Sequence, residues 1–129
     1  MKLLILLLSF VAVTTHAKCY SVTNIKGVTA YAEKPSKWDN AGFRSMVFKV
    51  YLDEENPKVN NYKDKCFLHG ENLMVCTGSH AKSKYSDTWL LIPEKNLAMR
   101  TVTTFDGGDS EDSTVSSFTG VIKGQCDAK

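Results

Sequence analysis

Four cysteines constrain this chain more than any other feature. Cys19, Cys66, Cys76 and Cys126 all follow an apolar leader. An even count in an exported chain argues for disulfides rather than free thiols. Three pairings are possible. The expected one joins Cys19 to Cys126, which ties the chain ends together, and Cys66 to Cys76, which closes a small loop. The rival use of cysteine is a metal site. No Cys-x-x-Cys occurs, and His69 and His80 lack paired-ligand spacing. Neither a metal nor a cofactor is expected.

The leader spans Met1–Ala17. Lys2 is its charged start, Leu3–Val13 its apolar run, and Thr15-His16-Ala17 a small-x-small cleavage site. This run of eleven residues, unbroken but for Ser9, is too short to cross a bilayer, which needs about 20. Removing 17 residues from 129 leaves 112, residues 18–129, enough for one domain with a modest core. The formal net charge of +2 falls to +1 with the loss of Lys2. That excludes a histone-like mode of nucleic-acid binding, which needs many cations on phosphate. Only Arg44 and Arg100 offer guanidinium forks.

Local patterns suggest one helix and several strands. Asn24–Glu33 reads as a short helix, with Thr23 or Asn24 as its cap and Ile25, Val28, Tyr31 and Ala32 at helical spacing. Gly27 and the β-branched residues weaken it, and Pro35 ends it. Met46–Leu52 alternates with period two and reads as a strand. Asp53–Tyr62 reads as a loop, and Cys66–Leu68 with Leu73–Thr77 as a hairpin. Gly78–Ser86 reads as a polar loop. Trp89–Ile92, Leu97–Phe105 and Val115–Ile122 read as strands, the last two flanking an acidic, mobile loop at Asp106–Ser113. The expected fold is therefore α+β: one short helix packed on a four- or five-stranded antiparallel sheet.

No catalytic site stands out in these residues. A metal-free hydrolase needs an acid–base pair and a cation for developing charge. His69 and His80 fall in loops with no carboxylate at a telling spacing. Gly-x-Ser-x-Gly, His-Glu-x-x-His and phosphate loops are all absent. Asp106-Gly107-Gly108-Asp109 lacks the ligand pattern of a calcium loop.

Several motifs, taken in order, resemble a known family. They are Cys19-Tyr20-Ser21, the block Pro35-Ser36-Lys37-Trp38-Asp39-Asn40-Ala41-Gly42-Phe43, the strand Phe48–Leu52, the run Asp87–Ile92, the segment Leu97–Gly108 and Cys126. This order is similar to that of the small guanyl-specific ribonucleases of fungi. The resemblance implies a microbial ribonuclease-like fold stapled by disulfides. It also implies that the catalytic positions have degenerated. They correspond to Lys34, Ser36, Val50, Trp89 and Phe105, none of which is the acid, base or arginine that the chemistry needs. Losing such groups as a unit leaves little rate.

A ribonuclease scaffold without its chemistry resembles the ribonuclease-like secreted effectors of powdery mildew fungi. That likeness implies a pseudoenzyme, secreted and translocated into the host plant cell, where it suppresses immunity. The partners it implies are a host plant protein, an intracellular immune receptor among them, or host RNA. Neither DNA nor a membrane is expected as a partner, and the chain is expected to be a monomer. Residues suited to RNA are Lys37, Trp38, Lys49, Tyr51 and Arg100, with Phe105 beside them, since aromatic stacking next to positive charge suits single strands. The loops Asp53–Tyr62, Gly78–Ser86 and Asp106–Ser113 would serve a protein partner. The alternatives are an active ribonuclease rebuilt around His69 or His80, and an extracellular disulfide-rich inhibitor or toxin.

Overall fold

Alternation of buried and exposed residues dominates the chain. The computed structural model describes residues 18–127. The expected leader, Met1–Ala17, lies outside the described residues. Nine strands follow one another: β1 (Lys18–Tyr31), β2 (Lys34–Phe43), β3 (Phe48–Leu52), β4 (Lys58–Val59), β5 (Lys65–Leu68), β6 (Leu73–His80), β7 (Ser83–Ile92), β8 (Leu97–Asp106) and β9 (Thr114–Gln125). Only two 3-10 turns, Pro93–Lys95 and Ser110–Asp112, interrupt them, and no α-helix occurs among the described residues.

The α+β expectation is thus overturned. The helix expected at Asn24–Glu33 is the second half of β1. Its helical spacing has a physical cause. Asn24 adopts a left-handed backbone (φ 52°) at a bulge, where the pairing with β9 shifts between Thr23 and Lys26. Val22 and Ile25 both point inward across that bulge, and both are buried. Three-residue spacing therefore arises without a helix. Val22, Thr23, Ile25, Val28 and Thr29 are β-branched and favour the extended chain. Gly27 faces β9, and a Cβ there would collide with the Ser117 carbonyl oxygen.

The sheet order is β4-β3-β1-β9-β8-β7-β6-β5, antiparallel throughout, with β2 also paired to β1. The first half of β1 pairs with β3 and its second half with β2. The sheet is strongly curled. Four strand steps separate β3 from β7, which would place them about 19 Å apart in a flat sheet. Yet the rings of Phe48 and Trp89 lie 5.5 Å apart. The result is a nearly closed barrel. Its interior holds Tyr20, Val22, Ile25, Phe48, Val50, Leu52, Met74, Trp89, Leu91, Phe118 and Ile122.

Strand also replaces one expected loop and enters a second. Gly78–Ser86 forms the outer part of the β6–β7 hairpin, paired from Gly78–Tyr85 to His80–Ser83. Its polar sequence reflects strands running beyond the apolar core. Asp53–Tyr62 contains the short β4. Asp106–Ser113 remains a connection between strands, built around the Ser110–Asp112 turn. The Asp106 carboxylate accepts N–H bonds from Gly108 (2.8 Å) and Asp109 (3.2 Å) and a hydroxyl bond from Ser83 (3.3 Å). The Gly108 bond, then that of Asp109, holds this carboxyl below its usual range. Both disulfides form as expected, Cys19–Cys126 between β1 and the residue after β9, and Cys66–Cys76 across the β5–β6 pair.

Candidate functional site

The curled sheet scatters the positions that the ribonuclease likeness would gather. Val50 and Trp89 are wholly buried in the barrel. Phe105 stands outside on β8 and is 56% exposed. Lys34 and Ser36 are exposed near the tip of the β1–β2 hairpin. No cleft joins Ser36, Val50 and Phe105. The two histidines fare no better. His69 donates its N–H to Leu73 O at the start of β6, and His80 ends that strand. The eight residues of that strand, Leu73–His80, hold its ends about 23 Å apart. Among the described residues, no three His, Cys, Asp or Glu side chains gather as metal ligands would.

The residues suited to RNA are also dispersed. Lys37 and Trp38 project from β2, with Lys37 Nζ 3.5 Å from Asp39. Lys49 and Tyr51 lie on β3, at the far end of β1 from Trp38. The Lys58 ammonium covers the Tyr51 ring at 4.8 Å. Arg100 is inside the barrel and turned away from any external ligand. Its Nε and Nη2 each lie 2.8 Å from the two carboxylate oxygens of Asp87. Four rings surround its guanidinium: Trp89 at 4.8 Å, Phe48 at 5.0 Å, Phe43 at 5.7 Å and Phe118 at 5.9 Å. This assembly is structural. Asp87 is 5% exposed, so each charge depends on the other for solvation.

A second, half-buried contact links the β4–β5 connection to the barrel. The Tyr85 hydroxyl donates to Asp64 Oδ1. That bond, followed by burial and the Asp64 charge, pushes the Tyr85 phenol up to about 12. The folded state therefore holds this proton more tightly than the unfolded state, whose phenol titrates near 10. The stabilisation is fully present below about pH 10 and is lost as pH rises toward 12. We expect an alkaline absorbance titration to show a tyrosinate step near pH 12 that Tyr85→Phe removes.

An open concavity lies on the outer face, where β1, β2 and the β2–β3 corner meet. It is an open groove of about 910 Å³, bordered by Lys26, Asn40, Gly42, Arg44, Met46 and Thr119. Sequence reasoning missed it entirely. Its floor exists because Gly42 stands opposite Lys26 in the β1–β2 register. A Cβ on Gly42 would come within 2.5 Å of Ile25 O, so no side chain can fill the gap. Neither Lys26 nor Arg44 has an ion-pair partner among the described residues. No carboxylate borders the groove among the described residues. The arrangement can hold an anion through two cations and the Asn40 amide. It has no group placed for acid–base chemistry.

A smaller groove of about 570 Å³ lies further round the sheet, among Thr77, Ser79, Lys84, Ser86, Thr103 and Phe105. It offers hydroxyls, one cation and one exposed ring. No family model, characterised protein or solved structure matches the chain.

Proposed function

We propose that this chain is a non-catalytic, disulfide-stapled binding domain that captures an anionic segment of a partner at the Lys26–Arg44 groove. One observation carries the reading. The groove where β1 and β2 meet is flanked by two cations without an ion-pair partner and bordered by no carboxylate, among the described residues. Charge-assisted hydrogen bonds from such groups are the stronger kind. The absence of catalysis is supported by the dispersal of Lys34, Ser36, Val50, Trp89 and Phe105 and by the separation of His69 from His80.

An acidic protein segment suits the groove better than RNA does. Single-stranded RNA needs open rings beside the cations. Here Phe43 turns inward against Phe48 and Phe118, and Trp38 lies further along β2. Export follows from the leader expected at Met1–Ala17. Action on a host plant protein, as an effector, rests on the short shared motifs alone, since the fold they implied is absent.

Charge reversal tests the proposal. The oxidised protein should bind poly-glutamate, with affinity falling as salt rises. Lys26→Glu combined with Arg44→Glu should weaken that binding at least tenfold. Equal binding by the double variant would overturn the site. Mixed-sequence RNA should remain uncut, and cleavage that disappears on His80→Ala would overturn the non-catalytic reading.

A further inference from the structure

We infer that the partner binds by adding a β-strand to the free edge of β2, as an extended segment that alternates acidic and apolar residues. The inference rests on the groove being the binding site and specifies how that site is used. The sheet leaves three edges. β4 has two residues and β5 has four, both too short to template much pairing. β2 has ten residues and pairs only with β1. A long unpaired edge presents a row of free N–H and C=O groups and is a ready template for another chain.

The two halves of β2 differ. The first half is blunted by Pro35 and by the exposed pairs Lys34–Glu33 and Lys37–Asp39. Proline and charge are the usual protections of an edge. The second half, Asn40-Ala41-Gly42-Phe43, carries neither, and the groove opens beside it. An unprotected stretch next to a cationic groove fits a docking strand.

Strand geometry then sets the partner's chemistry. Successive residues of an added strand face opposite sides. One set lies on the outer face, beside Asn40, the bare backbone of Gly42, Lys26 and Arg44. Acidic side chains satisfy both cations there. The other set lies beside Ala41 and Phe43, the latter 37% exposed, where apolar side chains gain contact. Main-chain bonds give affinity and the alternating side chains give selectivity. A second copy of this chain is disfavoured as occupant, because edge-to-edge pairing of β2 would bring two cationic grooves together.

The experiment uses the oxidised protein and a capped eight-residue peptide of alternating Glu and Val. Two further versions are N-methylated on alternate amides, one in each phase. The parent peptide should shift the resonances of Asn40–Phe43 and slow exchange of their outward-facing amides at least tenfold. One methylated phase should lose at least tenfold in affinity and the other should bind like the parent. Equal binding by both phases, with shifts still at the groove, overturns strand addition and leaves the groove. Shifts elsewhere, or none, overturn both. A concentration-dependent doubling of mass without peptide would identify a second copy as the occupant and overturn the acidic partner.

Discussion

Replacing Asp87 with Ala is expected to destabilise the protein by about 3–5 kcal/mol, the usual consequence of stranding one member of a buried ion pair. The geometry explains the size. Arg100 is enclosed by Trp89, Phe48, Phe43 and Phe118, and its polar edge is met by both oxygens of Asp87. Its side chain is only 13% exposed. Without the carboxylate the guanidinium keeps its charge, because an arginine does not deprotonate in a protein. The ring contacts compensate only in part, at about 0.5–2 kcal/mol for a cation over an aromatic face. The companion variant separates pairing from packing. Asp87→Leu with Arg100→Met removes both charges at once and should recover most of the loss, since apolar replacement of a buried pair is often neutral or better. Urea unfolding of the three proteins checks this. Equal destabilisation by the single and double variants would show that packing around Arg100, not its charge, is what matters.

Opening the Cys19–Cys126 staple is expected to cost about 4–5 kcal/mol, as the loop-entropy estimate gives for a closed loop of this length. The two cysteines are 107 residues apart in sequence and 4.9 Å apart at Cα. In the fold, this bond fixes β1 to the end of β9, beside the backbone bond from Cys126 N to Cys19 O (2.9 Å). β1 is the strand through which β2, β3 and β9 are joined. Loosening its start therefore weakens the junction of these strands. Cys66–Cys76 closes a loop only 10 residues apart in sequence and should matter less. Thermal unfolding of Cys19→Ser with Cys126→Ser, beside Cys66→Ser with Cys76→Ser, checks the order. A larger loss from the second pair would contradict it. Small domains keep only about 5–15 kcal/mol of net stability, so the first variant should be substantially unfolded at elevated temperature.

The sequence made the strands from Phe48 to Ile122 largely legible, because inward and outward residues alternate there. Phe48, Val50 and Leu52 are buried on one face, and Trp89 and Leu91 share the parity of Asp87. That same parity could have revealed the interior ion pair. The Pro93–Asn96 turn sets Ile92 opposite Leu97 and hence Trp89 opposite Arg100. Reading Arg100 as a ligand contact ignored its place between Ala98 and Val102 on the inner face. β1 misled for another reason. A bulge at Asn24 interrupts its alternation and imitates helical spacing, and tertiary pairing on both edges overrides any local helical tendency. β2 carries almost no hydrophobic signal, since it is an exposed edge. The Lys26–Arg44 groove was not legible at all. It depends on the register that sets Gly42 against Lys26, and no local pattern encodes a partnership between two strands.

The helix-on-sheet fold implied by the ribonuclease likeness is overturned for the same reason. That likeness rests on the order of short motifs such as Cys19-Tyr20-Ser21 and Lys37-Trp38-Asp39, and order along the chain does not fix which residues share a cleft. Val50 and Trp89 fill the core, while Phe105 stands on the opposite side of the sheet wall. A functional reading must therefore start from the surface the barrel presents.

An amide-resolved titration of the oxidised protein with poly-glutamate tests that reading most directly. The largest shifts are expected at Lys26, Asn40, Gly42, Arg44, Ser45 and Thr119. Largest shifts around Lys49 and Tyr51 on β3, or around Lys84 and Phe105 on β7 and β8, would contradict it and place the binding surface elsewhere on the barrel.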